Sequence, residues 1–251
     1  MTELLLEDET IEDLQLNGLR LIQKKNSFRY GMDTVLLADF AKIRKNDVVA
    51  DLGTGNGILP LLLYGRGRGC RYYALEIQPE AAELAGRNAQ LNGLENMMAV
   101  ICTDALEARK YIEPCSVDAA VCNPPYGMPS ASLASPEATR ATARSQHTDT
   151  LDHLFRGAFD ILKGRGKLFL VYPAPQMLFV MKRLQSHHLE PKRFRMVYPY
   201  ARKPANLVLI EAVKDARPML HPMPPLVIYR EDGSLTDELK SVYHIQEQTE
   251  F

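Results

Sequence analysis

Hydrophobic and polar positions follow two spacings along this chain, and the pattern becomes regular near residue 47. Beyond that point, short continuous apolar runs alternate with longer stretches in which apolar residues recur every three or four positions. The first spacing is typical of buried strands and the second of helices. Strands that alternate with helices need crossover connections, so the pattern predicts an α/β fold with a mostly parallel sheet. The predicted strands are 48–52, 72–76, 97–102, 117–122, 166–171, 194–200 and 206–213, and the predicted helices are 58–64, 79–92, 105–111, 151–162 and 176–187.

The segments on either side of this alternation predict smaller additions to one core. Two alternating runs around Asn17-Gly18 predict a hairpin, because Asn-Gly favours the tight turns that join antiparallel strands. A helix capped by Asp33 or Thr34 is expected next. The Ser-, Ala- and Thr-rich stretch 129–150 is typical of a loop. The expected division is 1–46 (hairpin and helix packed on the core), 47–217 (core) and 218–251 (C-terminal extension with an edge strand at 226–229).

Composition excludes several classes of protein. The chain has 251 residues, 46% of them hydrophobic and 24% charged, which is enough to bury a sizeable core. No apolar run approaches the roughly 18–20 residues of a membrane helix, and the acidic N-terminus lacks the basic start of a signal peptide. We therefore expect a cytoplasmic monomer with no membrane partner. The four cysteines form no Cys-x-x-Cys or Cys/His cluster, so no metal is expected, and Cys102 and Cys122 are expected to be buried free thiols.

The net charge of −1 hides an uneven distribution. Residues 1–127 carry 13 basic and 18 acidic side chains, residues 128–217 carry 15 and 7, and residues 218–251 carry 2 and 6. Within 163–203 there are ten Lys or Arg and a single acidic residue, Glu190. One-sided charge of this kind favours contact with nucleic-acid phosphates, and solvated charges on a helix and an edge strand are the alternative.

A glycine-rich turn follows the first predicted strand of the core. The sequence Asp51-Leu-Gly-Thr-Gly-Asn-Gly57 lets backbone approach a ligand closely and presents free N–H groups at the start of a helix. Its spacing differs from the Gly-x-Gly-x-x-Gly of dinucleotide sites. Because Asp51 is a poor neighbour for a pyrophosphate and a good one for a cation, the turn points to a nucleoside that bears an amino acid. A tight turn without a ligand is the alternative.

Acidic residues stand at or just after the ends of the next two predicted strands. Glu76 stands 19 residues after Gly57, where a carboxylate is suited to accept hydrogen bonds from both hydroxyls of a ribose. A solvated carboxylate or a helix cap would account for it equally well in isolation. Asp104 is suited to accept from the amino group of an adenine, and also to cap the helix after it, if only one oxygen caps.

The most specific motif is Asn123-Pro124-Pro125-Tyr126, directly after an apolar strand. Two prolines cannot continue a strand, so they fix a rigid turn at the sheet edge where α/β proteins bind ligands. The Asn123 side chain and the Pro124 carbonyl offer two acceptors for one planar NH₂ group, and Tyr126 offers a flat face. This combination is suited to hold a weakly nucleophilic amino nitrogen for attack on a methyl group. A plain turn with a packed tyrosine is the alternative.

Together these motifs resemble the class I S-adenosylmethionine-dependent methyltransferases that modify amino groups. The resemblance covers about residues 47–213 and implies a Rossmann-like fold, with a mostly parallel seven-stranded sheet and helices on both faces. Further segments are similar to the bacterial valine-tRNA adenine-N6 methyltransferase family, which implies transfer to adenine 37 beside the anticodon. Where that family has an acidic pair after its Ala-Arg, this chain has Ser145-Gln146. The similar segments are Phe28-Arg-Tyr-Gly-Met-Asp-Thr-Val-Leu-Leu-Ala, Asn123-Pro-Pro-Tyr with Ala143-Arg144 downstream, and Lys203-Pro-Ala-Asn-Leu-Val-Leu-Ile-Glu-Ala.

The resemblance also implies site residues, with S-adenosyl-L-methionine as the cofactor and RNA, most simply tRNA, as the partner. The implied catalytic residues, which hold and stack the target base, are Asn123, Pro124, Pro125 and Tyr126. The implied cofactor-binding residues are Tyr30, Asp33, Thr34, Asp51, Gly53, Thr54, Gly55, Glu76, Ile77, Asp104, Ala105 and Asn123. From the basic segment, the candidates for RNA contact are Arg193, Arg195, Arg202 and Lys203.

Several other functions remain open. A protein glutamine-N5 methyltransferase would use the same chemistry, but only about 46 residues precede the core, too few for the substrate domain of the similar release-factor enzymes. A guanine-N2 RNA methyltransferase more often has Phe in place of Tyr126. A DNA adenine methyltransferase would need a longer recognition segment, and a non-catalytic RNA-binding protein would not need Asp51, Glu76 and Asn123 together. The sequence therefore predicts an RNA adenine-N6 methyltransferase, with guanine-N2 and glutamine-N5 transfer as alternatives.

Overall fold

A central sheet organises the residues that the computed structural model describes, namely 4–25, 31–126 and 137–243, with the side chains of 137–147 excepted. Before the sheet, β1 (Glu9–Asp13) and β2 (Arg20–Lys24) form an antiparallel hairpin, and α1 (Met32–Phe40) follows. The strands of the sheet are β3 (Val48–Leu52), β4 (Arg71–Glu76), β5 (Met98–Cys102), β6 (Val117–Cys122), β7 (Leu162–Pro173), β8 (Leu189–Tyr200), β9 (Leu207–Lys214), β10 (His221–Pro222) and β11 (Leu226–Tyr229). The helices after α1 are α2 (Ile58–Gly65), α3 (Pro79–Leu91), α4 (Glu137–Ile161), α5 (Met177–Ser186) and α6 (Asp237–Val242), and short 3-10 helices span Ala105–Lys110 and Ala174–Gln176.

The order of the strands sets the position of the binding crevice. The strands lie in the order β10-β8-β9-β7-β6-β3-β4-β5, and β11 also pairs with β8. Only β9 runs antiparallel to its neighbours among the described strands of this sheet. The chain builds outward from β3 to β5 and then restarts on the other side at β6. Open α/β sheets bind ligands at the carboxyl ends of the strands where the order reverses, which here lies between β3 and β6.

Helices cover both faces of this sheet, as predicted. One face packs against α1, α2 and α3, through side chains that include Leu36, Leu62 and Ala85. The opposite face packs against α4 and α5, through side chains that include Phe155 and Leu184. Central strands are therefore buried on both sides, which explains why they form continuous apolar runs in the sequence. The seven long strands confirm the predicted α/β fold with a mostly parallel sheet, and the run at 226–229 adds an edge strand beside β8.

Three local predictions need correction. The stretch 129–150, predicted as a loop, is helical from Glu137 onward, because 137–150 contains neither Gly nor Pro and is rich in strong helix formers. Its first part, up to residue 136, lies outside the described residues. The helix predicted at 105–111 is a 3-10 helix, a distinction that periodicity over six residues does not resolve. The first strand of the hairpin ends at Asp13 and does not continue to the Asn-Gly turn.

The cysteine prediction holds for one of two residues. Cys122 is buried at the end of the central strand β6, as expected, whereas Cys102 is exposed. The prediction for Cys102 was wrong because β5 is an edge strand, with a neighbouring strand on one side only. The last residue of its apolar run is therefore exposed to solvent. In the described part of the chain, no helix is both long and apolar enough to span a membrane.

Candidate active site

The turn between β3 and α2 needs glycine for two different reasons. Gly53, Gly55 and Gly57 have φ values of 76°, 58° and 83°, a backbone region that L side chains rarely adopt. A Cβ on Gly57 would also lie 2.8 Å from Met98 Cε and 3.3 Å from Ala85 Cβ. A Cβ on Gly55 would meet no described atom within 4 Å, because this residue faces a cavity. Gly57 therefore allows Met98 and Ala85 to pack closely against the turn, whereas Gly55 keeps the side of the turn that faces the cavity open.

The carboxylate of Asp51 lies at the buried base of this turn, where the residue is 1% exposed. Its Oδ2 accepts a 2.6 Å hydrogen bond from Thr54 Oγ1, whereas Oδ1 has no partner among the residues that the structure describes. Burial raises the pKa of Asp51 to about 7, with the Thr54 hydrogen bond opposing the rise and the charge of Glu76 adding to it. A buried oxygen without a partner favours a cationic group as its ligand.

Glu76 joins the glycine turn to the end of β4. Its Oε2 accepts a 2.8 Å hydrogen bond from Gly55 N, and its Oε1 accepts a 3.0 Å hydrogen bond from Gln78 N. These two backbone donors fix the orientation of the carboxylate, and each oxygen retains a further lone pair. The group is therefore prepared to accept hydrogen bonds from a diol.

Asp104 caps a short helix and contacts a residue that the sequence analysis missed. Its Oδ1 accepts a 2.9 Å hydrogen bond from Leu106 N, so one oxygen caps the 3-10 helix as expected. Its Oδ2 lies 2.7 Å from Nδ1 of His153 in α4. No sequence signal points to this pair, because 49 positions separate the two residues and a lone histidine in a helix has no distinctive spacing.

Asn123 follows β6 and is held by the first turn of α1. Its Nδ2 donates to Thr34 Oγ1 at 2.9 Å and to Asp33 Oδ2 at 3.3 Å. Asp33 and Thr34 also line a cavity beside the glycine turn. Sequence analysis predicted these two residues near the cofactor but not their contact with Asn123, which lies about 90 positions away. Tyr30, predicted beside them, lies outside the described residues.

Tyr126 packs inward beneath Asn123. Its hydroxyl donates to Asn123 Oδ1 and lies 3.2 Å from Asp33 Oδ2, while its ring meets Tyr172 edge-on with the centroids 5.9 Å apart. Burial raises the pKa of the Tyr126 hydroxyl well above its ordinary range, and the charge of Asp33 adds to this effect. Of the two prolines between Asn123 and Tyr126, the first is buried and the second exposed. The stacking of Tyr126 on a target base stays a prediction.

Two adjoining cavities bring most of these groups together, whereas Asp51, Pro124 and Tyr126 line neither. Their volumes are about 460 Å³ and about 340 Å³, and Gly53, Glu76 and Asn123 line both. The larger extends toward the glycine turn and α1, and the smaller toward the 3-10 helix and α4. The other predicted residues in their walls are Asp33, Thr34, Thr54 and Gly55 in the larger cavity and Ile77, Asp104, Ala105 and Pro125 in the smaller. Over the described residues, no cluster of three His, Cys, Asp or Glu side chains forms a potential metal site.

Two of the four predicted RNA-contacting residues are engaged within the chain. Arg193 Nε donates a 2.8 Å hydrogen bond to Oε2 of the buried Glu211, and the guanidinium also lies over the ring of Phe40. Arg195 Nη2 donates a 2.6 Å hydrogen bond to Glu238 Oε1. These pairs favour a structural role for both arginines, which differs both from the predicted RNA contact and from the solvated charges that were its alternative.

Arg202 and Lys203 lie where the sequence analysis expected an RNA contact. Both are exposed in the turn after β8, and the Arg202 side chain is 89% exposed, with its Nε 3.5 Å from Glu231 Oε1. Because β8 and β7 are both antiparallel to β9, β8 runs parallel to the central strands. Its end therefore lies at the same edge of the sheet as Asn123.

These cavities fit a nucleoside that carries an amino acid. Gly55 leaves open space and Glu76 has acceptors for a ribose. Asp51, which accepts from the cavity-lining Thr54, has a buried oxygen without a described partner. Such a ligand at the switch point of this sheet defines the class I methyltransferases that use S-adenosylmethionine. The family described as "Methyltransferase small domain" matches residues 30–189, and the chain belongs to that family. It is a methyltransferase, and S-adenosylmethionine is its cofactor.

Individual relatives and solved structures agree with this class. The chain is 31% identical over 170 residues to the tRNA1(Val) (adenine(37)-N6)-methyltransferase of Bacteroides thetaiotaomicron, covering 67% of this chain and 70% of that one. It is 29% identical over 183 residues to the protein of the same name in Photobacterium profundum, covering 71% and 75%. A predicted O-methyltransferase of Agrobacterium tumefaciens has the same fold, with a TM-score of 0.68 at 20% identity over 85% of this chain and 96% of that one.

Proposed function

We propose that this protein transfers a methyl group to the exocyclic N6 of an adenine in RNA, specifically a tRNA adenine beside the anticodon. The observation that carries the proposal is the Asn123 side-chain amide, which follows β6, lines both cavities and is fixed by Asp33 and Thr34. The names of the relatives, tRNA adenine-N6 methyltransferases, support the choice of substrate.

The chemical task is to present a weakly nucleophilic amino group in a fixed orientation. In the proposed reaction, Asn123 Oδ1 and the Pro124 carbonyl accept the two N–H groups of the adenine, and the Tyr126 ring lies against the base. Asn123 Oδ1 already accepts the Tyr126 hydroxyl, and it retains a second lone pair for the substrate. When bound, S-adenosylmethionine supplies the electrophilic methyl carbon. Most of the rate gain then comes from holding two reactants in line.

The cofactor would extend across both cavities. We assign its amino-acid part to Asp51 with Gly53, Thr54 and Gly55, and its ribose to Glu76. Its adenine would lie in the smaller cavity, which is lined by Ile77, Asp104 and Ala105. The support for this direction is that Asp51 offers a site for a cation and Glu76 has acceptors for a diol.

The RNA would approach from the edge that carries Arg202 and Lys203. A base in a tRNA loop must be turned out of its stack to reach a cavity, at a cost of a few kcal/mol that is smallest in single-stranded regions. Exposed basic side chains at the same edge would contact the flanking phosphates. Cytoplasmic residence, expected from the sequence, accords with a tRNA substrate and stays a prediction.

Methyl transfer from labelled S-adenosylmethionine to unmodified tRNA and to rRNA tests this proposal, with mass spectrometry of the product nucleosides. We expect label in N6-methyladenine of tRNA, and loss of label when the target adenine is replaced. Label in N2-methylguanine, or in protein glutamine when protein extract is the substrate, would replace the proposed function with one of its alternatives.

A further inference from the structure

His153 connects α4 to the predicted adenine side of the cofactor site. Its Nδ1 lies 2.7 Å from Asp104 Oδ2, and the residue lines the smaller cavity together with Leu154 and Ile77. A carboxylate only accepts hydrogen bonds, so Nδ1 carries the hydrogen in this pair. The imidazole is therefore a fixed donor to the carboxylate that is assigned to the adenine amino group.

The two oxygens of Asp104 are held by two different elements. Leu106 N binds Oδ1 at 2.9 Å from the 3-10 helix, and His153 binds Oδ2 from α4. Together these donors remove the rotational freedom of the carboxylate. Each oxygen retains one lone pair, so the orientation of the remaining acceptors is set before a ligand arrives.

The close approach of α4 depends on Gly157, one turn beyond His153. A Cβ at this position would lie 2.1 Å from the backbone oxygen of Ala105. Since a backbone atom cannot yield as a flexible side chain would, α4 reaches this depth only with glycine there. The contact brings His153 within hydrogen-bond distance of Asp104 and makes α4 a wall of the smaller cavity.

We propose that His153 is a positioning residue that selects an adenine-bearing cofactor through Asp104. By donating to Oδ2, it turns the free lone pairs of Asp104 toward the exocyclic amino group of the base. A base with a carbonyl at that position would place its oxygen against an oxygen of Asp104. Because both atoms are hydrogen-bond acceptors, such a base would bind less tightly. The inference rests on the proposed cofactor site and assigns a role to a side chain of its wall that the sequence had not singled out.

The test compares two ligands that differ at position 6 of the base, where an amino group is replaced by a carbonyl, and at the neighbouring N1, which carries a hydrogen in the 6-oxo compound. Dissociation constants are measured by calorimetry for S-adenosylhomocysteine and for its 6-oxo analogue, S-inosylhomocysteine. We expect the wild-type protein to prefer the adenine compound by about tenfold or more, since a site built to bind an N–H donor rejects an analogue without it. In His153→Leu, we expect this preference to fall to about threefold or less, through weaker binding of the adenine compound.

Two further variants separate positioning from a general effect on the fold. His153→Asn keeps an N–H donor near the place of Nδ1 and should retain most of the preference, which also covers the case of a poorly folded Leu variant. His187→Leu is the matched control. His187 Nε2 lies 3.0 Å from Oδ1 of Asp152, the neighbour of His153 in α4, and His187 lines neither cavity. This variant should leave the preference unchanged.

The proposal is overturned if His153→Leu weakens both ligands equally or neither, or if His153→Asn loses the preference as fully as Leu. It is overturned as well if the wild-type protein does not distinguish the two ligands. These measurements involve neither RNA nor methyl transfer. A failure here therefore leaves the proposed RNA substrate standing, and a different methyl acceptor would leave this result unchanged.

Discussion

A buried carboxylate without a full set of partners, as at Asp51, opposes folding while it favours ligand binding. The pKa of Asp51 rises from its ordinary 3.8 to about 7 in the folded protein, chiefly through burial. The folded state therefore holds this proton more tightly than the unfolded chain does. It follows that the contribution of Asp51 to the stability of the ligand-free protein falls as the pH rises from about 4 to about 7, and is constant above that.

Asp51→Asn removes this titration and leaves an uncharged amide in the same space. At pH 8 we expect the ligand-free variant to be more stable than the wild type by roughly 1–4 kcal/mol, since one pKa unit corresponds to about 1.4 kcal/mol. The difference should shrink steadily toward pH 4. Urea unfolding at several pH values measures it, and a wild type that is more stable at pH 8 would contradict the expectation. Cofactor affinity should fall at least tenfold in the same variant, which loses the carboxylate that we assign to the amino-acid part of the cofactor.

A second prediction at this scale concerns the amide of Asn123. Asn123→Ala removes the acceptor that we assign to the reacting amino group, so we expect turnover to fall about 100-fold or more, as for other single polar groups in active sites. Cofactor affinity should stay within about threefold, because Asp51 and Glu76 remain. Single-turnover kinetics and a binding titration separate the two effects.

Tyr126→Phe is the companion variant, since it keeps the ring and removes the hydroxyl that donates to Asn123 Oδ1. We expect turnover within about tenfold of the wild type. If Asn123→Ala abolished cofactor binding in a folded protein, the assigned role of the amide would be wrong.

At the residue scale, sequence analysis found groups that stand in a local motif and missed groups that act across the fold. Asp51, Glu76 and Asn123 each stand at or next to the end of a recognisable strand, so their common edge could be predicted. The contact between Thr34 and Asn123, and that between His153 and Asp104, join segments whose relative placement depends on tertiary packing. The spacing of residues along the chain gives no signal for contacts of this kind.

Elements show the same division between local and non-local information. Strands with strongly apolar runs were predicted closely, and β6 agrees residue for residue with its run at 117–122. The helical part of 129–150 was missed because its polar composition gives no apolar periodicity. The composition of 137–150 does carry a signal, since this stretch lacks Gly and Pro. That signal indicates a helix only when helix propensity is considered together with the hydrophobic pattern.

The packing of α4 gives a prediction at the scale of an element. Gly157→Ala would drive a Cβ to 2.1 Å from the Ala105 backbone oxygen, so α4 must move outward. We expect a loss of about 1–3 kcal/mol of stability, typical of overpacking, and weaker cofactor binding as the smaller cavity widens. Gly86→Ala in α3 is the control, because a Cβ there meets no described atom within 4 Å.

The control should gain roughly 0.5–1 kcal/mol, the usual benefit of alanine over glycine within a helix. Thermal unfolding and a cofactor titration on both variants measure these effects. Equal behaviour of the two variants would mean that α4 does not depend on Gly157 for its position.

Over the whole molecule, the three charge segments of the sequence meet in space. The acidic extension lies beside the basic strand β8, and two of its carboxylates pair with arginines of this region: Glu238 with Arg195 in β8, and Glu231 with Arg202 in the turn after it. The net charge of +8 in residues 128–217 is thus partly neutralised within the chain, a consequence that segment counts alone do not reveal. The division into 1–46, 47–217 and 218–251 stays a prediction, and the third part lies against the second through β11 and β8.

This pairing predicts which arginines govern the salt dependence of RNA binding. Each phosphate contact that is lost lowers the slope of log affinity against log salt by somewhat less than one. Arg202→Ala with Lys203→Ala should therefore weaken tRNA binding and lower the slope by about 1–2, because Arg202 is exposed and its contact with Glu231 is long, at 3.5 Å. Arg195→Ala should leave the slope unchanged, because that side chain is largely covered and is held by Glu238 at 2.6 Å. Glu231→Gln should raise affinity by freeing Arg202. Filter binding over a range of salt concentrations measures all of these, and an unchanged slope in the double variant would assign Arg202 and Lys203 to the solvated surface.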